Sequence, residues 1–401
     1  MKRTNTQSCI PYFNILISIK APRTMKILII GNMGYVGPAV VRELAARHPS
    51  AILHGYDTAY FAHCLTGAHT LPERYLERQF FGDSRSISAK MLEGYTAVVQ
   101  LAAISNDPMG SRFATATAEI NHHASVSIAR AAALAGVRHF VFASSCSIYG
   151  VALGAPRCET DAVAPITDYA KSKVHAEEAL ATLEGDMIIT SLRFATACGM
   201  SDRLRLDLVL NDFVAGALSQ GEISVLSDGT PWRPLIDVTD MARAIDWALQ
   251  RQAKNGGRVL SVNTGSSERN HQVRDLAFAV ADAVPGTTVE INTDAPVDSR
   301  SYRVDFGLFA RLAPQHQPQM TLSQSIDGLI KGLKRMNFTD TRFRASPFMR
   351  LHALQRHIDE GRLTEDLHWR NTQANHRYDR DLVLSPIPGV CRPFLVQGER
   401  S

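Results

Sequence analysis

The 401-residue chain has little of what marks several protein classes. Its six cysteines, at 9, 64, 146, 158, 198 and 391, form no Cys-x-x-Cys pair. That argues against a disulfide framework or a thiolate metal site and for free thiols in a reducing compartment. The fourteen histidines lack metal-ligand spacing too, so no metal is expected. A formal charge of +4, with no lysine–arginine block, excludes a dedicated nucleic-acid binder. No stretch approaches the ~18 apolar residues of a membrane span, and there is no internal repeat or low-complexity tract. What remains is an ordinary globular balance, 45% hydrophobic and 20% charged. The length suits two domains or one large α/β unit.

The first 24 residues, MKRTNTQSCIPYFNILISIKAPRT, have a basic start and a short apolar stretch. Pro11 and Asn14 interrupt that stretch, and no small-x-small cleavage site precedes Met25. Residues 1–24 therefore read as an extension or an upstream start, with Met25 as the functional beginning of a cytoplasmic protein. Residues 372–401 are polar with several prolines and read as a mobile tail.

The richest signal is GNMGYVG at residues 31–37, directly after KILII. The apolar run reads as a strand buried on both faces. The following PAVVRELAARH has helical spacing, and AILHGYD reads as a second strand ending in Asp57. Strand, glycine loop, helix, strand and acid is the order of a dinucleotide-binding unit. Gly31 permits a tight turn, Gly34 lets the backbone approach a pyrophosphate, and Gly37 lets the helix pack close to the strand. Tyr35 and Val36 complete the loop, where free N–H groups at the helix start face phosphate. Asp57 follows the last glycine by 20 residues, where a carboxylate bonds both ribose hydroxyls and repels a 2′-phosphate. The expected cofactor is NAD.

The catalytic reading rests on YAKSK, residues 169–173. On a helix, Tyr169 and Lys173 share one face. An ammonium beside a phenol favours the phenolate, lowering a pKa ordinarily near ~10 and making Tyr169 a usable base. Lys173 is also placed to bond the nicotinamide ribose.

The Gly-x-x-Gly-x-x-Gly spacing resembles the extended, nucleotide-sugar-modifying branch of the short-chain dehydrogenase/reductase superfamily, over roughly residues 25–340. The resemblance implies a Rossmann-type doubly wound parallel sheet with a smaller C-terminal substrate-binding domain. It assigns Asp83, beside Ser84 in FGDSRS, to the adenine amino group. It places Leu101, Ala102 and Ala103 of VVQLAAIS against the cofactor, with Gln100 where a His is usual, and makes Asn121 a structural residue. In HFVFASSCSIYG it assigns Ser145 as the catalytic serine. Family 4,6-dehydratases carry an Asp-Glu pair immediately afterwards. Here Cys146 and Ser147 stand instead, which disfavours elimination and leaves Ser147 as a substrate contact.

In the second half the resemblance points to RLRLDLVLNDFVAGAL (203–218), read as an amphipathic helix with Asn211 on the substrate diphosphate. Arg233, and with it Arg300 and Arg303, are further phosphate contacts, while Asp237 and Asp240 anchor element ends. Thr196 and Cys198 replace the usual Asn and Tyr. Residues 347–371 read as a charged amphipathic helix with a glycine break, packed on the body or at a subunit interface. The expected organisation is a cofactor domain over 25–196, with about 233–265 returning to it, and a substrate region over 197–371. The expected function is C4 epimerisation of a nucleotide sugar by a homodimer. A net 4-keto-sugar reductase using NAD(P)H and a non-catalytic dinucleotide-sensing regulator are the alternatives.

Overall fold

The apolar run KILII forms β1 (Lys26–Ile30), whose last four residues are buried. The computed structural model describes residues 24–66, 68–152, 154–295 and 301–370. Arg300 and the two terminal segments read above as an extension and a tail lie outside these residues, apart from Thr24. Further strands are β2 (Ile52–Asp57), β3 (Arg78–Phe81), β4 (Ala97–Gln100), β5 (His139–Ser145) and β6 (Ile188–Phe194). They are followed by β7 (Thr196–Cys198), β8 (Glu222–Val225), β9 (Trp232–Asp237), β10 (Val259–Thr264), β11 (Asn270–Gln272) and β12 (Thr288–Ile291).

Seven strands form one sheet in the order β10-β6-β5-β4-β1-β2-β3, and every pairing in it is parallel. Parallel strands need crossovers, and the helices that supply them cover both faces. Helices Gly37–Arg47 and Val238–Gln250 pack on one face, with Val40, Leu44, Ile245 and Leu249 in a shared core. Helices Ser125–Leu134 and Asp168–Ala181 cover the other through Ile128, Ala132, Ala176 and Leu180. The chain turns in opposite directions from β1 and β4, which leaves a crevice above their C-terminal ends.

The smaller part has a three-stranded sheet, β11-β9-β7, and a two-stranded sheet, β12-β8. Helices Val209–Gln220, Val273–Ala283 and Leu322–Arg335 pack around them. The returning segment enters the main sheet through β10, whereas β9 stays with the small sheet. Among the described residues no helix is long and apolar enough to cross a membrane.

One expectation is corrected here. Residues 203–208 are not helical, and the helix begins only at Val209. The pattern Arg-Leu-Arg-Leu-Asp has a period of two, and both leucines are fully buried. The two arginines are buried as well, Arg203 paired with Glu73 and Arg205 with Asp207. A helix would have split these pairs across its turns.

Candidate active site

The glycine loop sits at the floor of the crevice. Gly31 has φ +86°, and a Cβ there would lie 2.5 Å from the Ala102 nitrogen. A Cβ on Gly37 would lie 1.9 Å from the Asn32 carbonyl oxygen, so only glycine lets the helix start this close. Gly31, Gly34, Tyr35 and Val36 line the cleft, and the helix begins directly after them at Gly37. Opposite them run Leu101, Ala102 and Ala103, where Leu101 and Ala102 donate to the Ile30 carbonyl at 2.8 and 3.1 Å. Asn121 braces this segment, accepting from Ile104 N at 2.8 Å and donating to the Ser172 hydroxyl at 3.0 Å.

Asp57 ends β2 and lines the cleft. Its two oxygens accept from the Met33 and Ala59 amides at 2.9 and 2.7 Å. Burial pushes the carboxyl up from its ordinary value, and the two amides oppose that. Each oxygen keeps a lone pair for a hydroxyl donor. Asp83 and Ser84 border the same end. Burial raises the Asp83 carboxyl, but the Arg85 guanidinium and amide outweigh it and hold the group below its usual range.

At the other end, β5 and the helix Asp168–Ala181 bring Ser145, Tyr169 and Lys173 to one wall. Ser145 sits close enough to the Tyr169 hydroxyl to oppose a rise in its pKa. The Lys173 ammonium is 3% exposed, donates to the Ala143 carbonyl at 2.6 Å and lies 5.7 Å from the Tyr169 ring centroid. Burial lowers its pKa to about 7, with Glu177 opposing. The phenol moves in the direction opposite to expectation. Burial drives Tyr169 up to about 12, against the Ser145 hydroxyl and the Arg205 charge and with the Asp107 charge. In the protein alone, desolvation of both groups outweighs their proximity.

Behind this wall the Glu177 carboxylate holds Arg193 at 2.8 and 2.9 Å and accepts from Ser144. Cys146 points away from the cleft, its thiol donating to the Arg193 carbonyl, and burial pushes it well up. The Ser147 hydroxyl, at the cleft wall, is buried with no hydrogen-bond partner among the described residues.

The substrate half differs more from the sequence reading. Asn211 does not reach the cleft. It is fully buried, accepts from Gly199 N at 3.1 Å, and donates to Arg205 O and to the Tyr35 hydroxyl at 2.9 and 3.0 Å. Tyr35 in turn donates to Gly199 O at 2.6 Å, so its hydroxyl fastens the glycine loop to the β7 region. Arg233 lines the cleft from β9. Cys198 is buried, whereas Thr196 lines the cleft beside Tyr302. The structure adds Asp107, Arg205, Tyr302, Arg344 and Arg350 to the lining. Of these only Arg205 left a trace, the two-residue alternation around it.

The cleft encloses about 1120 Å³. Ligand pockets run to roughly 1,000 Å³, so this cleft stands at the large end of that range. The glycine floor, the anchored Asp57 and the wall of small residues fit NAD. Among the described residues no His/Cys/Asp/Glu cluster could hold a metal ion.

Comparisons agree with this geometry. The chain is 27% identical over 277 residues to a UDP-glucose 4-epimerase of Lactobacillus helveticus, covering 64% of this chain and 82% of that one. Its fold is similar to an NAD-dependent NDP-hexosamine 5,6-dehydratase, with a TM-score of 0.66, 21% identity and 80% and 100% of the two chains covered. It is also similar to the UDP-glucose-4-epimerase of Stenotrophomonas maltophila with bound NAD and formylated UDP-arabinopyranose, at TM-score 0.66, 22% identity and 78% and 99% coverage. Residues 27–263 match the model of one family over more than half of the chain, and the chain therefore belongs to the NAD dependent epimerase/dehydratase family.

Proposed function

We propose that this chain interconverts nucleotide sugars that differ in configuration at C4, with NAD held throughout turnover. One observation carries the reading. Ser145, Tyr169 and Lys173 share one wall of a cleft whose other end carries the glycine loop and Asp57, and Arg233 lines the same cleft. Bound NAD supplies a hydride acceptor and donor beside that wall, and its oxidised ring adds positive charge near the phenol.

Tyr169 takes the proton from the C4 hydroxyl and later returns it, while Ser145 hydrogen-bonds the reacting oxygen. Lys173 bonds the nicotinamide ribose, and its charge steadies the phenolate. Asp57 holds the adenosine ribose hydroxyls, and Asp83 and Ser84 border the adenine. Arg233 offers forked donors to the substrate diphosphate. The unpartnered Ser147 hydroxyl serves the sugar. Turning the keto sugar over between two hydride transfers needs no further acid or base. Elimination needs a second acid–base pair, and the buried Cys146 thiol is held too far up to serve. A homodimer in the cytoplasm completes the reading.

The test is incubation of purified protein with UDP-glucose and UDP-arabinose, with product analysis and native mass spectrometry. Retained NAD and a 4-epimer without added cofactor are expected. Turnover only with added NAD(P)H would instead identify a net reductase, and binding without turnover a sensor.

A further inference from the structure

Residues beyond 263, where the family match ends, include a C-terminal strap running from helix Arg350–Asp359 through a short antiparallel bridge between Leu363 and Trp369. The strap does not lie on the substrate half alone. It reaches the loop that follows Asp57 at the end of β2 and the loop after β3 that carries Asp83. Trp369 Nε1 donates to the Thr58 carbonyl at 2.6 Å, and His357 Nε2 donates to the Tyr60 carbonyl at 3.0 Å. The Tyr60 hydroxyl donates to the Leu367 carbonyl. Arg85, while holding Asp83, donates to the Asp366 and Leu367 carbonyls at 2.9 and 3.0 Å. Leu354, Leu363 and Leu367 complete an apolar cluster with Tyr60, Ile104 and Met109. Tyr60 and Ile104 line the cleft from that cluster.

Backbone conformation gives an independent sign. Three described non-glycine residues have positive φ, namely Ala59 at 64°, Asn337 at 51° and Leu367 at 57°. Two of the three lie where strap and loop meet. Such strain persists only where surrounding contacts over-determine it, and it concentrates at ligand clamps.

We propose that residues 350–370 brace from behind the two loops that line the adenosine end of the cofactor site, and so set how long the cofactor stays bound. The inference rests on the NAD site assigned above. The strap leaves the nicotinamide end open to substrate while bracing both loops that grip adenosine. Release of the dinucleotide then requires these long-range bonds to open first. An enzyme that must return hydride to the same sugar needs that order of events.

The probe is NADH, whose fluorescence reports release when excess NAD displaces it in a stopped-flow instrument. Deleting residues 346–401 is the blunt variant, but it removes buried leucines that the fold needs. Tyr60→Phe/Trp369→Ala keeps the core and removes two of the bonds. Loss of two hydrogen bonds should speed release at least about tenfold, mostly through the off-rate. Trp369→Ala alone, at a 41% exposed side chain, should give a smaller acceleration in a fully folded protein. Release within about twofold of wild type, in variants with wild-type melting temperature, overturns the assignment. If wild type forms the 4-epimer and the variants hold NADH as long, the strap assignment falls while the epimerase reading stands. If the variants lose NADH quickly and wild type epimerises nothing, the reverse holds.

Discussion

The two ends of the cleft are built by opposite means. At the catalytic end the groups that react are close in sequence and costly to keep. Ser145, Tyr169 and Lys173 come from one strand and the next helix, and burial holds Lys173 down to about 7 and Tyr169 up to about 12. At the adenosine end the contacts span up to 311 positions of the chain. The first end holds poorly solvated charge where a reaction can use it. The second is a network of long-range hydrogen bonds between the strap and two loops of the parallel sheet.

That contrast can be broken most sharply at the phenol. Tyr169→Phe should lower turnover by at least about a hundredfold, or ~3 kcal/mol of barrier, because it removes the group that moves the proton. NADH affinity and melting temperature should remain, since the ring still packs. Near-native turnover would overturn the mechanism.

Behind the same wall, Glu177→Gln should destabilise the fold by about 3 kcal/mol in urea titration, because Arg193 is left buried and unpaired. The lost carboxylate also supports the Lys173 charge, so the alkaline limb of the rate profile should move to lower pH.

Lys173→Met tests whether the catalytic end is kept at a cost. The folded pKa of about 7 lies below the ordinary lysine value of 10.5. The unfolded chain therefore binds more protons between these values, and stability rises with pH across that window. The cost of the lysine is full below about pH 7 and fades toward 10.5. The methionine variant should melt higher than wild type in the absence of NAD, by more at pH 6.5 than at pH 9.5, yet bind NAD weakly and turn over poorly. A lower melting temperature at pH 6.5 would contradict the assigned desolvation.

Two smaller effects probe the adenosine end. Asp57→Ala should narrow the preference for NAD over NADP by roughly tenfold, ~1.4 kcal/mol, as read by calorimetry. Ala59→Gly removes a left-handed alanine but frees the unfolded chain. The two effects nearly cancel, leaving a change of about 0.5 kcal/mol in thermal unfolding.

Much of this molecule was legible because its signals are local. The glycine loop, the strand ending in Asp57 and the Tyr169–Lys173 pair each depend on a spacing of a few residues, which one helix or strand converts directly into geometry. Asn211 shows where that logic stops. Its amide suits a phosphate, yet Gly199, Arg205 and Tyr35 occupy it, and those partners come together only when the two parts of the chain pack. The amphipathic pattern of 203–218 suggests one helix, yet residues 203–208 lie outside it. The structure buries the arginines there as well as the leucines, with carboxylates that the pattern did not reveal.

By itself the sequence determined the parallel α/β fold, the glycine loop and the pairing of Tyr169 with Lys173 on one helix, because backbone sterics and side-chain periodicity act over short range. Only the tertiary structure decided how burial moves the phenol and ammonium, which arginines line the cleft, and that the C-terminal strap bonds to the loops after β2 and β3. Desolvation and long-range hydrogen bonds depend on what surrounds a group in space, and no local pattern encodes that.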